Sequence, residues 1–285
     1  SFSPMGLVVL IAFVLGFALS RASTCTVAAT KRLFLLWKPD WLLGIGIAVC
    51  WSAATFLALT YVFGIKVPVP ASVPINVTLI LASVAMGLGA FVNGACFIGS
   101  VGHISSGNLS FLLTFVGLIA ARMIAQHPLI NAAFEQPALQ HSLMSYPVAY
   151  WGLLAVFSIG FLYGLIRVFH RRKQTMLALC VMCIAAALLF SINPGWSYEA
   201  WIGRVLNGQG LSKALEIEMI IFALFAGAAI SSAINGKFHL KAPNIRQSTL
   251  CFIGGLFMGL GARVSPGGND TLLLLTFPSF VRYGF

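Results

Sequence analysis

Along the chain, apolar stretches alternate with short polar interruptions at intervals close to one membrane crossing. Runs at 5–20, 41–64, 76–92, 106–125, 148–168, 175–192, 214–234, 247–262 and 270–283 carry almost no charge. About 20 such residues cross the roughly 30 Å of a bilayer's hydrocarbon, so the pattern predicts an all-α integral membrane protein of about nine transmembrane helices. Several runs are short, and two of these short runs lead into polar segments at a depth where a full span would still be apolar. After 5–20 comes SRASTCTVAATKRLFLLWK, and after 76–92 comes NGACFIGSVGHISSGN. Each reads as a helix broken at depth and resumed as a re-entrant half-helix. Irregular backbone is tolerated there only when buried in protein or lining a cavity. The first run has no basic start and is followed by Arg21, so it is not expected to be a cleaved leader.

A nine-residue spacing recurs at these places. Gly16 leads to Cys25, Gly87 to Cys96, Gly227 to Gly236 and Gly259 to Gly268, and the string MGLGA occurs at both 86–90 and 258–262. The expectation is one transmembrane transport domain over 1–285 in two pseudo-repeated halves, about 1–128 and 214–285, with linking spans within 148–192. Repeats of this kind place a solute site between them near the midplane. Whether the halves are inverted is left open. The loop 193–213 holds Trp196, Tyr198 and Trp201, which are expected to anchor at the membrane interface.

Composition agrees with the spans: 59% of residues are hydrophobic and 8% charged, against about 25% charged in soluble domains. The net charge of +11 does not require nucleic acid. With 21–40 on the cytoplasmic side and alternating spans, twelve of the 17 Lys and Arg fall in inner loops. That is the positive-inside bias, which puts the N-terminus outside and the C-terminus inside.

Cys25 and Cys96 share one register of the repeat, and a thiol offers a weak donor and a polarisable acceptor. Weak sites in series let a solute leave as well as enter, and soft sulfur suits a sulfur-containing anion. Backbone around Gly94, Gly267 and Gly268 could present N–H groups to an anion, with Asn269 or Asp270 capping the next helix. Thr24, Thr26, Ser100, Ser105 and Ser106 add hydroxyls, each of which also suits an ordinary backbone bond. Arg21 and Arg263 are possible electrostatic contributors, though snorkelling or anchoring at the interface is the default role for both. An ionised Asp270 would repel an anion. Cys180 and Cys183, in an apolar helix, read as packing residues. No nucleotide, zinc-hydrolase or serine-hydrolase motif occurs, the five His share no ligand spacing, and neither catalysis nor a cofactor or metal is expected.

With these residues set out, the chain resembles the YeeE/YedE family of bacterial inner-membrane sulfur-transport proteins. The resemblance rests on GFALSRASTCTVAA at 16–29, MGLGAFVNGACFIGSVGHISSGN at 86–108 and MGLGARVSPGGNDTLLL at 258–274. It implies a bundle of about nine helices with re-entrant half-helices forming an hourglass. It also implies thiosulfate uptake along a cysteine relay in which Cys25 and Cys96 are the first two members. The third is missing: Ser265-Pro266-Gly267-Gly268-Asn269 stands where a cysteine is expected, and Cys251 lies one span earlier. Inner-membrane localisation and a cytosolic sulfur-carrier partner are implied by the same resemblance.

The leading expectation is therefore transmembrane passage of a small sulfur anion, most simply thiosulfate. The alternatives are another small anion, or a sulfur-transfer component that forms a persulfide on Cys25 or Cys96.

Overall fold

The computed structural model describes residues 4–22, 25–65, 67, 73–127, 147–171, 174–206, 211–265 and 268–279. Among them the regular structure is helical. In chain order the elements are α1 (Pro4–Ala22), α2 (Thr26–Leu36), α3 (Asp40–Tyr61), α4 (Val77–Asn93), α5 (Phe97–Ser105) and, after a 3-10 turn at Leu109–Phe111, α6 (Leu112–Ala125). Next come α7 (Pro147–Arg171), α8 (Gln174–Ile192), α9 (Tyr198–Leu206), α10 (Leu211–Ile234) and α11 (Ile245–Val264). The last element, α12, begins as one α-turn at Asn269–Thr271 and continues as a π-turn at Leu272–Thr276.

Eight of the nine apolar runs thus form helices. The ninth, 270–283, does not give a full span: α12 covers its beginning, a turn comes at 277–279, and the remainder lies outside the described residues. Among the described residues, five helical stretches are long and apolar enough to cross a membrane, including the two broken ones, Met5–Leu36 and Val77–Ser105. The bundle's outer faces carry large apolar side chains in the open, such as Leu35, Ile159 and Phe222 at 75%, 68% and 77% exposure. Water would penalise that surface at roughly 25 cal/mol per Å², whereas lipid does not.

The repeated glycines explain how the helices meet. Gly16 on α1 lies against the Leu224 carbonyl on α10, and Gly227 lies against Phe13 and Phe17 of α1. Arg21 reaches Ser231 with its Nε at 3.2 Å, so the two helices run parallel. The two MGLGA strings also pair, but in the opposite sense. A Cβ on Gly261 would stand 2.5 Å from the Ala82 carbonyl, and one on Gly254 would stand 2.6 Å from the Cβ of Asn93. Helices α4 and α11 are therefore antiparallel. α11 is glycine-lined on a second side, where Gly255 and Gly259 meet Thr114, Leu118 and Ala121 of α6. Without a hydrophobic drive between helices in lipid, close backbone approach at small residues is what holds such pairs.

The apolar core joins both halves through Ala12, Leu15, Val101, Leu224 and Met258, with Leu189 and Phe190 from α8. Cys183 is part of it and Cys180 is buried beside it, consistent with packing. Two of the three expected interface anchors, Trp196 and Tyr198, do not face the outside of the bundle, while Trp201 is half-buried. Trp196 and Tyr198 are 3% and 5% exposed. They stack inward, with Trp196 5.0 Å from Phe190 and Tyr198 5.6 Å from Phe115 by ring centroids. The reason is that the turn at 193–197 folds back over α8, so its aromatics fill the bundle.

The packing separates the repeat glycines into two kinds. Gly16→Val and Gly227→Val must force α1 and α10 apart, and overpacking of this sort costs about 1–3 kcal/mol. Gly87→Ala meets open space and should be neutral or slightly stabilising. Thermal unfolding of the detergent-solubilised protein, followed by fluorescence, checks both.

Candidate functional site

The two shared-register cysteines occupy the same structural position. Cys25 is the N-cap of α2 and Cys96 the N-cap of α5, both in extended conformation. Each starts a half-helix just after a longer helix has ended. Helix N-termini leave backbone N–H groups without intrahelical partners and carry about half a positive charge. The Cys96 Sγ takes up one such donor, accepting from Gly99 N at 3.5 Å. The break before it is made by Gly94, whose φ of +79° ends α4 in the left-handed region.

The structure brings these two thiols together. Cys25 and Cys96 lie within hydrogen-bonding reach of each other. A Cβ on Gly99 would stand 2.9 Å from the Cys25 Sγ, so glycine is what lets the first thiol sit on the N-terminal turn of α5. The fourth repeat joins from the other side. Gly268 precedes α12, with its carbonyl accepting from Leu272 N at 3.0 Å. A Cβ there would stand 2.6 Å from the Phe97 ring and 2.6 Å from an Asp270 carboxylate oxygen. Three helix starts, at Cys25, Cys96 and Gly268, thus converge. The third repeat does not join them. Gly236 has a φ of +64°, and the Lys237 N–H donates to the Ser232 carbonyl at 3.0 Å, a Schellman stop. There the chain turns outward into the exposed stretch 233–246.

Burial is graded along this line. Cys25 is partly exposed, whereas Cys96 is fully buried and Asp270 is 4% exposed. Cys25 and Gly94 line a cavity of about 330 Å³ together with Ser20, Trp41, Gly102, His103, Ser232 and Lys237. Asp270 neighbours Tyr198, whose phenol is pushed well above its ordinary value by burial first and by that carboxylate second. Arg21 is turned to Ser231 and stacks on Phe17 at 4.5 Å. Arg263 is half-buried in the last turn of α11. Gly267 and Thr24 lie outside the described residues. Asn269 opens α12.

A polar network that the sequence pattern does not announce holds the break at 93–96. Asn93 is fully buried. Its Nδ2 donates to the Ala95 carbonyl at 2.6 Å and to Ser100 Oγ at 2.9 Å, while its Oδ1 accepts from Thr114 at 2.8 Å. Ser100 donates its own hydroxyl proton to the Cys96 carbonyl at 3.0 Å. Gln247 Nε2 reaches the Asn93 carbonyl at 3.4 Å and the Cys251 Sγ at 3.3 Å. Cys251 is thus tied to this support, at the side of the path. The one signal in the sequence is three polar residues, Asn93, Thr114 and Gln247, each beside or within an apolar run. Ser106, one of the candidate hydroxyls, bonds its own helix at the His103 carbonyl, 2.8 Å away.

Comparison with known proteins bears on what such a site serves. A family profile described as sulphur transport matches residues 21–179 and again 167–285. The chain belongs to this sulphur-transport family. Its two matches cover the segments that carry Cys25 and Cys96 in one case and Gly268 in the other, so this is a multi-pass membrane protein of a sulfur-transport kind with an internal repeat. No curated protein matches the chain.

Asn93 satisfies buried backbone at the break. Asn93→Ala leaves the Ala95 carbonyl and the Thr114 hydroxyl without their present partner, each costing about 1–3 kcal/mol. The break should loosen enough to expose Cys96, and a maleimide should then label two cysteines in the native protein where the wild type reacts at Cys25 alone.

Proposed function

We propose that this protein admits a small sulfur-containing anion, thiosulfate foremost, across the bacterial inner membrane. The path runs past the helix starts at Cys25, Cys96 and Gly268 within an hourglass-shaped bundle of about nine spans, with the N-terminus outside. The observation that carries this reading is the contact between two N-cap thiols from different repeats, one open to a cavity and one buried. Gly94, Gly267 and Asn269 complete the backbone of the path on this proposal. Arg21 and Arg263 act at longer range, as does Asp270.

The energetics favour a shared task. Stripping water from a divalent anion costs far more than two thiols return, at roughly 1 kcal/mol net each. Helix N-termini supply the remainder, because their N–H groups are already aimed outward and need no reorganisation. Thiols at the caps replace carboxylate or hydroxyl caps with neutral, weakly held donors. An anion can therefore displace the Cys96–Gly99 contact and later give it back. The exposed basic residues Lys241 and Arg246 are where we would place a cytosolic sulfur carrier.

Growth of a sulfate-uptake-deficient bacterium on thiosulfate as sole sulfur source tests the reading. The wild-type chain should support growth, and Cys96→Ala should abolish it at equal protein level in the membrane. Undiminished growth with both Cys25→Ala and Cys96→Ala would falsify the thiol path. Gly99→Ala adds a methyl against the Cys25 sulfur while keeping both thiols, and uptake should fall at least tenfold, about 1.4 kcal/mol, with the fold intact.

A further inference from the structure

The cavity in front of Cys25 contains a cation that the path does not use. Lys237 lines it, and its backbone is pinned on both sides. Upstream, the Schellman turn at Gly236 fixes its N–H to Ser232. Downstream, His239 and Lys241 donate their N–H groups to the carbonyls of Ser106 and Gly107 at 2.9 and 2.8 Å. Asn108 and Lys241 form a parallel β-bridge, and Asn244 N donates to Ser110 Oγ at 3.1 Å. Segment 236–244 is therefore a strap tying the end of α10 to the end of α5. Residues from both ends, Ser232 and His103, line the same cavity. Gly107, at φ +93°, lies so close beneath the His239 carbonyl that any Cβ would collide with it.

We infer that Lys237 holds a doubly charged anion in this cavity, before Cys25, in preference to a singly charged one, and that Gly107 sets where the lysine stands. The inference rests on the transport reading and names its charge selectivity. Hydroxyls and thiols around the cavity are neutral donors that do not distinguish a dianion from a monoanion by charge. An ammonium does, because its attraction doubles with the charge of its partner. Screening at physiological salt acts over about 8 Å, which leaves an effect on the order of fivefold for a dianion and about twofold for a monoanion. The other titratable groups at this end are Cys25 itself, His103 (stacked on Phe111 at 4.3 Å), His239 and Lys241 on the strap, and Arg21, bonded to Ser231.

Equilibrium dialysis of radiolabelled thiosulfate and thiocyanate against the full-length chain in detergent micelles tests it. Lys237→Gln should weaken thiosulfate binding about fivefold and thiocyanate about twofold at 0.15 M salt. Lys237→Arg should restore both. The difference between wild type and Lys237→Gln should vanish at 1 M salt, where the screening length is about 3 Å. Gly107→Ala, which keeps the charge and displaces the strap, should reproduce the loss for thiosulfate. Wild-type affinity in Lys237→Gln overturns the inference, as does an equal, salt-independent loss for both anions, which a merely structural lysine would give. A wild-type chain that binds neither anion overturns the transport reading along with it. Binding by the wild type that Lys237→Gln leaves unchanged overturns the selectivity alone.

Discussion

Hydrocarbon offers no hydrogen bonds, so a helix that stops inside a membrane must find partners for its free ends within the protein. The fold is organised around that constraint. Two helices, α1 before residue 25 and α4 at Gly94, stop inside the bundle, and each is followed at once by a shorter helix. The bundle is built close enough around the breaks to supply what lipid cannot. Asn93, Ser100 and Gln247 satisfy the backbone of the second break from different helices, and Thr114 holds the Asn93 side chain in place. The same requirement leaves a concentration of outward-facing amide donors at the new helix starts. A device that is costly to build in lipid is also one that a dehydrated anion can use.

Glycine serves this arrangement in two distinct ways. At Gly16, Gly227, Gly254 and Gly261 it removes a side chain so that backbones touch. At Gly94 and Gly236 it provides a left-handed turn. The first use brings the helices near enough for the breaks to be buried, and the second decides where a helix ends. Gly94 leads into another helix within the bundle, whereas Gly236 sends the chain out to the surface.

Much of this is legible in the sequence because it depends on local chemistry. Apolar length marks eight of the helices, and the polar interruptions at 20–25 and 93–96 mark both breaks. The register of Cys25 and Cys96 anticipates that they hold equivalent positions. The features that cannot be read this way depend on tertiary neighbours. The four-fold glycine spacing suggests four similar elements, yet the copy at Gly227–Gly236 ends in an ordinary surface turn. The residues after Gly236 alternate polar and apolar, and their backbone finds partners in the turn after α5. Trp196 and Tyr198 have the composition of interface anchors, and only the path of the chain after α8 turns them inward. Lys237 carries no motif at all, since its place at a cavity is set by bonds to Ser106 and Gly107 more than a hundred residues away.

Gly268 has a consequence for how such a protein can change over time. The Phe97 ring and the Asp270 carboxylate already fill the volume that a side chain at 268 would need. A cysteine there, where the family resemblance leads one to expect a third thiol nearby, requires the ring beside Cys96 to move aside or become smaller, and the Asp270 carboxylate to shift with it. Positions 97 and 268 are therefore linked as a pair. A lineage passing between two thiols and three disturbs both, and the order matters: shrinking the ring first opens a void, while enlarging the glycine first crowds the junction.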